Sequence, residues 1–288
     1  MMFASPNDPG ARSSERLRAH YEIERRLASK LREADKAERR RLYATVYDEL
    51  FRSVPDHPQT TQRVDAVNRA AAVARQLGLL EAYLFRESTF VEIGAGDCAL
   101  AFAVARRVAL SYGVDVSAEI AKSENPPDNF KLILSDGSSI PLPTNSVDVA
   151  YSNQLMEHLH PDDASDQLRE IFRILRPGGV YLCITPNRLS GPHDISRYFS
   201  DTAQGLHLRE YSAGELCELF QRAGFTDLTA IVGRGNRTLR VRAGWYVAAE
   251  RALAAIPLGV RRPVTRNALV TAALGIKLFA RKPTADTA

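Results

Sequence analysis

The spacing of the apolar positions changes along the chain, and each change predicts a different element. Between residues 15 and 53, apolar side chains recur every three or four positions, which predicts amphipathic helices with charged outer faces. Ser13 or Ser14 is placed to cap the first of them. An alanine-rich stretch predicts another helix from residue 60 or 61 to about residue 82. Thr89–Ile93 is a short β-branched and aromatic run, typical of a buried strand.

Strands and helices alternate through the next part of the chain. Five more strands are predicted at residues 110–114, 130–134, 147–152, 180–185 and 225–232, with helices between most of them. Arg-Pro-Gly-Gly at residues 176–179 predicts a turn before one of these strands. Residues 244–273 are mostly helical with a break at 257–259, and residues 275–281 form a predicted last strand. This alternation predicts an α/β fold with a doubly wound, mostly parallel sheet.

The predicted organisation of the 288 residues has four parts. They are a disordered N-terminus at 1–14, a helical extension at 15–87, a ligand-binding core at 88–233, and a basic helical insertion with the last strand at 234–288. Cys98, Cys183 and Cys217 lie far apart and form no metal-type pair, which favours a reducing, cytoplasmic location. No signal peptide or membrane-spanning run is expected.

The strand at Thr89–Ile93 leads into a glycine turn that predicts a nucleotide-type site. Gly94 and Gly96 let the backbone turn sharply, and the helix that follows from about residue 98 points free N–H groups at a ligand. Gly94-x-Gly96-x-x-Ala99 with Asp115 downstream also fits the dinucleotide fingerprint. However, carboxylates at Glu92 and Asp97 would repel a pyrophosphate. They suit the ammonium and sulfonium groups of S-adenosylmethionine.

Charge is distributed unevenly along the chain, whose formal net charge is +4. Residues 234–288 hold 11 of the 38 Lys and Arg but only two of the 34 Asp and Glu. Apolar side chains, including Trp245, interleave with these arginines. This pattern fits peripheral contact of residues 244–273 with an anionic membrane, at the inner face of the membrane, and it also fits a helical insertion that packs on the sheet with its arginines in solvent. A nucleic-acid partner is not expected, because acids interrupt the arginines of the N-terminal helices.

Seven short stretches together resemble the class I S-adenosylmethionine-dependent methyltransferases. The resemblance is nearest to the branch of ubiquinone-biosynthesis O-methyltransferases and small-molecule and glycan methyltransferases. It rests on residues 91–96 (Val-Glu-Ile-Gly-Ala-Gly), 113–117, 135–137, 142–148, 156–159, 175–179 and 185–187. The resemblance implies a seven-stranded Rossmann-like sheet whose last strand is antiparallel, and S-adenosyl-L-methionine as cofactor.

The resemblance also implies roles for particular residues. Glu92, Gly94, Ala95 and Gly96 would bind the methionine part of the cofactor. Asp115 with Val116 would hold the ribose, Asp136 with Gly137 would meet the adenine, and Asn153 and Gln154 would line the methyl end. Metal binding has been associated with an acid–Glu–His cluster in the ubiquinone-type enzymes. Gln154 stands where that acid would be, so no metal is expected despite Glu157 and His158.

Methyl transfer to a hydroxyl requires alignment of the reacting atoms and removal of a proton. His158 lies at the predicted methyl end, and His193 and His207 lie in the polar loop at 186–211 where an acceptor is expected. These three histidines are the candidate catalytic bases. The predicted function is O-methylation of a small-molecule, glycan or lipid-linked acceptor. The alternatives are a nicotinamide-dependent oxidoreductase and a non-catalytic protein that binds S-adenosylmethionine.

Overall fold

The computed structural model describes residues 12–57, 66–116, 125–234 and 237–284. The tail at 1–11, the predicted helix start at 60 or 61, Ser117 of the resemblance and most of the predicted helix that follows it lie outside the described residues.

Two helices make up most of the N-terminal extension. Helix α1 spans Ser14–Glu33 and begins at Ser13, whose hydroxyl accepts a hydrogen bond from the Arg16 amide. The predicted helical run is interrupted at Asp35, whose side chain caps helix α2, Lys36–Ser53, by accepting from the Glu38 amide. Helix α3 follows at Ala66–Leu80. The amphipathic pattern therefore predicted the helices correctly but not the break between α1 and α2.

One sheet forms the centre of the molecule, and the described residues contribute eight strands to it. They are β1 Thr89–Ile93, β2 Leu110–Asp115, β3 Phe130–Leu134, β4 Val147–Asn153, β5 Leu175–Thr185, β6 Thr226–Arg234, β7 Arg237–Arg242 and β8 Ile276–Arg281. Their order is β3-β2-β1-β4-β5-β8-β6-β7. β1 to β5 pair in parallel, whereas β8 runs antiparallel to β5 and β6. The predicted α/β fold and the antiparallel last strand are confirmed.

Two details of the predicted sheet are wrong. Among the described residues the sheet has eight strands rather than seven, because Arg237–Arg242 pairs with β6 as an additional edge strand. Residues 176–179 are not a separate turn but an irregular, bulge-like part of β5, since Val147 pairs with Leu175 while Val149 already pairs with Val180.

Helices cover both faces of the sheet. Besides α1 to α3, the described α-helices are α4 Ala99–Ala105, α5 Pro161–Ile174, α6 Ala213–Arg222, α7 Ala243–Ala254, α8 Leu258–Thr265 and α9 Ala268–Leu274. Alternate residues of β1 face opposite ways: Val91 joins the core under α1, α2, α5 and α6, whereas Phe90 joins the core under α3 and α4. This arrangement leaves the carboxyl ends of β1 to β4 at one edge, where ligands bind in open α/β sheets.

Three short helices precede β8, as the predicted helical insertion requires. The break falls at Pro257, and a second one separates α8 from α9 near Asn267. Among the described residues, no helix combines the length and apolar character needed to cross a bilayer.

Candidate active site

The glycine turn after β1 is fixed by hydrogen bonds to the end of β2. The amides of Gly94 and Ala95 donate to the Val114 carbonyl oxygen at 2.8 and 3.2 Å, and the Gly96 amide donates to Asp115 Oδ2 at 2.8 Å. Gly94 has φ +70°, and a Cβ there would lie 3.1 Å from the side chain of Leu155. Only glycine therefore fits this position without strain.

Carboxylates surround this turn. Glu92 is only 7 % exposed, and its Oε2 accepts a hydrogen bond from the Ala101 amide at 3.0 Å. Burial raises the pKa of Glu92 to about 8, and the nearby charges of Asp97 and Asp115 act in the same direction. Arg69 balances part of this charge through an ion pair of 2.7 Å with Asp97. The arrangement favours a cationic ligand, because a positive charge would stabilise the ionised form of Glu92.

A cavity of about 140 Å³ opens in front of the glycine turn at the carboxyl ends of β1 to β4. Six predicted cofactor residues line it: Gly94, Gly96, Asp115, Val116, Gly137 and Gln154. Glu92 and Ala95 lie buried beside it. Asn153 ends β4, one residue before Gln154. The structure therefore brings the predicted residues to one edge of the sheet, and their contacts with the cofactor stay predictions.

Asp136 is placed differently from the other predicted residues. One oxygen of its carboxylate accepts hydrogen bonds from the amides of Ser138 and Ser139 at 3.0 and 2.7 Å. The other forms an ion pair of 3.2 Å with Arg40. Gly137 and Ser135 reach the cavity instead. The expected contact of Asp136 with the adenine stays a prediction.

Three aromatic residues of α2 line the same cavity and were missed in the sequence analysis. Tyr43, Tyr47 and Phe51 follow each other at intervals of four residues, so they share one face of the helix. A Cβ on Gly137 would lie 2.8 Å from Tyr43 Cδ2, which shows how closely α2 covers the end of β3. The four-residue spacing of aromatics was the available signal, but it does not reveal which part of the fold the helix covers.

A second cavity, of about 320 Å³, adjoins the first and shares Tyr47 and His158 with it. It lies between the N-terminal helices and the segment 186–211. Five of the six histidines line it, together with other polar and apolar side chains: His20, His57, His158, His193, His207, Arg12, Glu24, Asp194, Arg197, Tyr198, Leu17, Tyr47, Leu50, Ile195 and Leu206. All three candidate catalytic histidines therefore meet at one cavity.

A buried hydrogen-bond network joins helix α1, on one side of the second cavity, to the segment 186–211 on the other. His20 Nε2 lies 2.6 Å from Glu24 Oε1, and Arg12 Nη1 lies 2.7 Å from His20 Nδ1. The amide of Leu206 donates to Glu24 Oε2 at 3.1 Å, which ties α1 to the segment 186–211. Although burial opposes ionisation, the hydrogen bonds from His20 and His57 hold the pKa of Glu24 well below its ordinary value.

The three candidate bases have different partners. His158 Nδ1 lies 3.0 Å from the Leu206 carbonyl oxygen, and burial lowers the pKa of His158 to about 3. His193 Nε2 lies 3.1 Å from the Asn187 carbonyl oxygen, and burial lowers the pKa of His193 too. His207 Nδ1 lies 2.8 Å from the carboxylate of Glu210.

Two groups of side chains bring three possible ligand atoms within 4.8 Å of one another. One contains His20, Glu24 and His57, and the other contains Glu157, His158 and His207. In the first group His20 is already hydrogen-bonded on both ring nitrogens. The expectation of no metal stays a prediction.

Comparison with known proteins identifies the class of the domain. Residues 91–183 match the family model described as a methyltransferase domain. A protein of Mycolicibacterium smegmatis named "Probable S-adenosylmethionine-dependent methyltransferase" is 38 % identical over 126 residues, which are 42 % of this chain and 47 % of that protein. The tRNA N(3)-cytidine methyltransferase METTL2 of Danio rerio is 27 % identical over 116 residues, 38 % of this chain and 32 % of that protein. The chain thus spans about half the length of the first of these relatives, or less for the second.

A solved S-adenosylmethionine-dependent methyltransferase from Thermotoga maritima has the same fold. It superposes with a TM-score of 0.51 at 17 % identity, covering 74 % of this chain and 91 % of that one. The chain therefore contains a methyltransferase domain at residues 91–183 that is similar to proteins named as S-adenosylmethionine-dependent methyltransferases. These similarities support an enzyme domain that uses S-adenosyl-L-methionine. These comparisons favour neither the nicotinamide alternative nor a non-catalytic protein, and the likeness to the ubiquinone branch stays a prediction.

Proposed function

We propose that this protein transfers a methyl group from S-adenosylmethionine to an oxygen of an acceptor bound in the second cavity. The observation that carries the proposal is the wall shared by the two cavities, formed by Tyr47 and His158. A donor in the first cavity and an acceptor in the second would meet at this wall. Such an arrangement supplies the alignment that methyl transfer requires.

The chain's own residues fit the positively charged donor. Glu92, Asp97 and Asp115 place three carboxyl groups around the glycine turn, which suits the ammonium and sulfonium groups because a bound cation favours the ionised form of Glu92. Tyr47 and Phe51 provide aromatic faces towards the cavity, and a cation is attracted to such faces. When bound, the cofactor supplies the methyl group, while the protein binds it, orients it and excludes water.

We propose a small-molecule, glycan or lipid-linked acceptor rather than a nucleic acid. The second cavity is small and mixes imidazoles with aliphatic side chains such as Leu17 and Leu50. Imidazole nitrogens can accept hydrogen bonds from hydroxyl groups, and the aliphatic side chains can contact a ring or a chain. Because one relative is named for tRNA, a tRNA sample belongs in the acceptor screen.

Calorimetry and an acceptor screen test this proposal. We expect S-adenosylhomocysteine to bind and NAD not to bind, and one metabolite, glycan or lipid fraction to increase S-adenosylhomocysteine production from S-adenosylmethionine. Gly94→Ala should abolish binding, whereas Gly78→Ala is the matched control, because a Cβ on Gly78 meets nothing within 4 Å. Binding of NAD alone would contradict the proposal, and turnover only with tRNA would contradict the choice of acceptor.

We propose in addition that residues 244–273 contact an anionic membrane. Five large apolar side chains of this stretch are exposed: Trp245, Leu258, Val260, Val264 and Leu269, with Trp245 at 73 % and Leu269 at 76 %. The described residues 237–284 carry ten Lys and Arg, whereas their one acid, Glu250, is buried. Exposed apolar groups beside excess positive charge are typical of peripheral binding to anionic lipid.

Vesicle sedimentation tests this contact. The protein should sediment with phosphatidylglycerol-containing vesicles at low salt and not with pure phosphatidylcholine. Replacing Trp245 and Leu269 together by serine should reduce sedimentation several-fold. Phe85→Ser is the matched control, because Phe85 is 62 % exposed but lies outside the segment. Absence of binding to the anionic vesicles would contradict the membrane contact and leave methyl transfer as proposed.

A further inference from the structure

The three candidate catalytic histidines differ in the group that contacts each ring. His158 places Nδ1 at a backbone carbonyl oxygen, which can only accept, so that nitrogen carries the hydrogen. Nε2 of His193 lies near both the Asn187 carbonyl oxygen and the Ser190 hydroxyl, which are neutral groups. His207 instead places Nδ1 at a carboxylate. A carboxylate stabilises an imidazolium by charge, whereas a carbonyl oxygen does so only weakly. Among the three, His207 is therefore the histidine built to accept a proton.

Glu210, whose carboxylate accepts from His207 Nδ1, is fixed by burial and by a further hydrogen bond. Glu210 is only 5 % exposed, and its Oε1 accepts hydrogen bonds from the His193 amide at 2.6 Å and from His207 Nδ1 at 2.8 Å. A Cβ on Gly191 would collide with Glu210 Oε2, so glycine makes room for this carboxylate. Since Nδ1 of His207 donates to Glu210, the lone pair of the neutral ring lies on Nε2.

A second carboxyl group, that of Glu157, lies near the His207 ring. Glu157 is fully buried, and its Oε2 accepts a hydrogen bond from Thr185 Oγ1 at 2.8 Å. Its Oε1 has no hydrogen-bond partner among the described residues. One carboxylate oxygen of Glu157 lies within 4.8 Å of ring nitrogens of His158 and His207. Burial raises the pKa of Glu157 to about 7, and its ionised form would add a second negative charge near a protonated His207.

We propose that His207 is the catalytic base of this site and that Glu210 is the residue that positions it. This inference rests on the proposed function, with a hydroxyl as the methyl acceptor. As the acceptor oxygen forms its bond to the methyl carbon, the C–S bond breaks and its electron pair stays on sulfur, so the sulfonium becomes a neutral thioether. The acceptor's proton passes to Nε2 of His207. Glu210 and Glu157 stabilise the imidazolium until water removes the proton.

Titratable and charged groups from several elements lie around His207. They are Glu24 and Tyr47 of the N-terminal helices, His57 after them, Glu157 and His158 after β4, and His193, Asp194, Arg197 and Glu210 of the segment 186–211. Burial alone would lower the pKa of His207, but the hydrogen bond to Glu210 and the charge of Glu157 raise it above the ordinary value. Burial keeps His158 neutral instead, with a pKa of about 3.

Histidine NMR tests the protonation pattern without any acceptor. We would label the histidines of the full chain with ¹⁵N, saturate the protein with S-adenosylhomocysteine and record ring correlations from pH 5.5 to 9. His207 should carry its hydrogen on Nδ1 when neutral and should titrate at a higher pH than His193, while His158 should not titrate. Glu210→Gln should lower the titration midpoint of His207. A neutral His207 with its hydrogen on Nε2 would overturn the proposal, whether or not an acceptor is known.

Turnover provides the second test once the screen has given an acceptor. His207→Ala should reduce kcat about 10²- to 10⁴-fold, and added imidazole should restore part of it, because a free base then takes the proton. His207→Gln serves as the second variant in case the alanine variant folds poorly. His160→Ala is the matched control, since His160 caps α5 outside the second cavity.

The results distinguish this inference from the proposed function. If methyl transfer is found but His207→Ala keeps full kcat, the assignment of His207 is wrong while methyl transfer stands. If a chelator abolishes turnover and a divalent metal restores it, the histidines act as ligands and the assignment is also wrong. If S-adenosylhomocysteine does not bind, the proposed function fails, but the tautomer of His207 in the free protein still tests the positioning by Glu210.

Discussion

Glu92→Gln is the substitution whose effect the structure defines most sharply. The Glu92 side chain is buried against the glycine turn, and burial together with Asp97 and Asp115 raises its pKa to about 8. In the unfolded chain the same carboxyl ionises at its ordinary value of 4.5. The folded state therefore binds this proton more tightly than the unfolded state does. The stability that depends on the neutral acid is present below pH 4.5 and is lost as the pH rises towards 8.

The size of the effect follows from the difference between the two pKa values. A difference of one unit corresponds to about 1.4 kcal/mol, so the unfolding free energy should fall by about 3 to 4 kcal/mol between pH 5 and pH 8 because of Glu92 alone. Glutamine has nearly the same shape, its amide oxygen can still accept from the Ala101 amide, and it does not ionise. The variant should therefore gain stability relative to the wild type by this amount over the same pH range.

Urea denaturation of the ligand-free protein at pH 5, 6, 7 and 8 measures the effect. The quantity of interest is the difference in unfolding free energy between Glu92→Gln and the wild type, because other groups titrate equally in both. Glu38→Gln, at an exposed position of α2, controls for the loss of one carboxylate. If the stability curves of wild type and Glu92→Gln run parallel from pH 5 to pH 8, Glu92 is ionised in the folded protein, and the account of a protonated acid beneath the cofactor is wrong.

Three further predictions concern the cofactor cavity and helix α2, which lines it. Because a bound sulfonium favours ionised Glu92, S-adenosylmethionine should bind more tightly by up to about tenfold as the pH rises from 6.5 to 8.5, and calorimetry should show no such trend for Glu92→Gln. Phe51→Ala removes an aromatic wall of the cofactor cavity and should weaken S-adenosylhomocysteine binding by about tenfold; unchanged affinity would mean that α2 does not cover the cofactor. Arg39→Met removes the ion pair of 2.6 Å from the fully buried Asp163, so the unfolding free energy should drop by about 3 to 5 kcal/mol. Arg40→Met removes the more exposed ion pair with Asp136 and should cost less than about 1 kcal/mol. Equal losses of the two variants in urea denaturation would contradict the difference between the buried and the exposed pair.

Most strands of the sheet could be predicted because their signal is local. Thr89–Ile93 and Phe130–Leu134 are bounded apolar runs, and their limits agree with the structure. Arg237–Arg242 gave no such signal, because an edge strand buries little surface and half of its residues are arginines. Residues 176–179 contain Pro-Gly-Gly, a sequence typical of turns, yet pairing on either side absorbs them into β5 as a bulge. Pairing with distant strands decided both cases, and local sequence does not report it.

The same limit applies to the site. The glycine turn and Asp115 could be predicted because a strand–turn–helix sequence defines its own geometry. The part played by Tyr47 could not, because it depends on how α2 lies across the carboxyl ends of strands that come later in the chain. The choice among the three histidines also needed the structure. His207 differs from the others only through Glu210, three residues away in a segment without regular structure.

The structure divides the proposed reaction between two parts of the chain. Residues 91–183, which match the methyltransferase family, supply the glycine turn and the acids around the donor cavity. Most residues that line the second cavity lie outside the family match, in residues 12–57 and 186–211. The buried contact between Glu24 and the Leu206 amide joins these two regions to each other. Because neither region takes part in the family match, proteins with the same donor site can differ freely in their acceptors. The identity of the acceptor should therefore be sought through these two regions. Exchanging α1 and residues 186–211 with those of a relative, while keeping Tyr43, Tyr47 and Phe51 in the cofactor cavity, should change the acceptor while S-adenosylhomocysteine affinity changes much less.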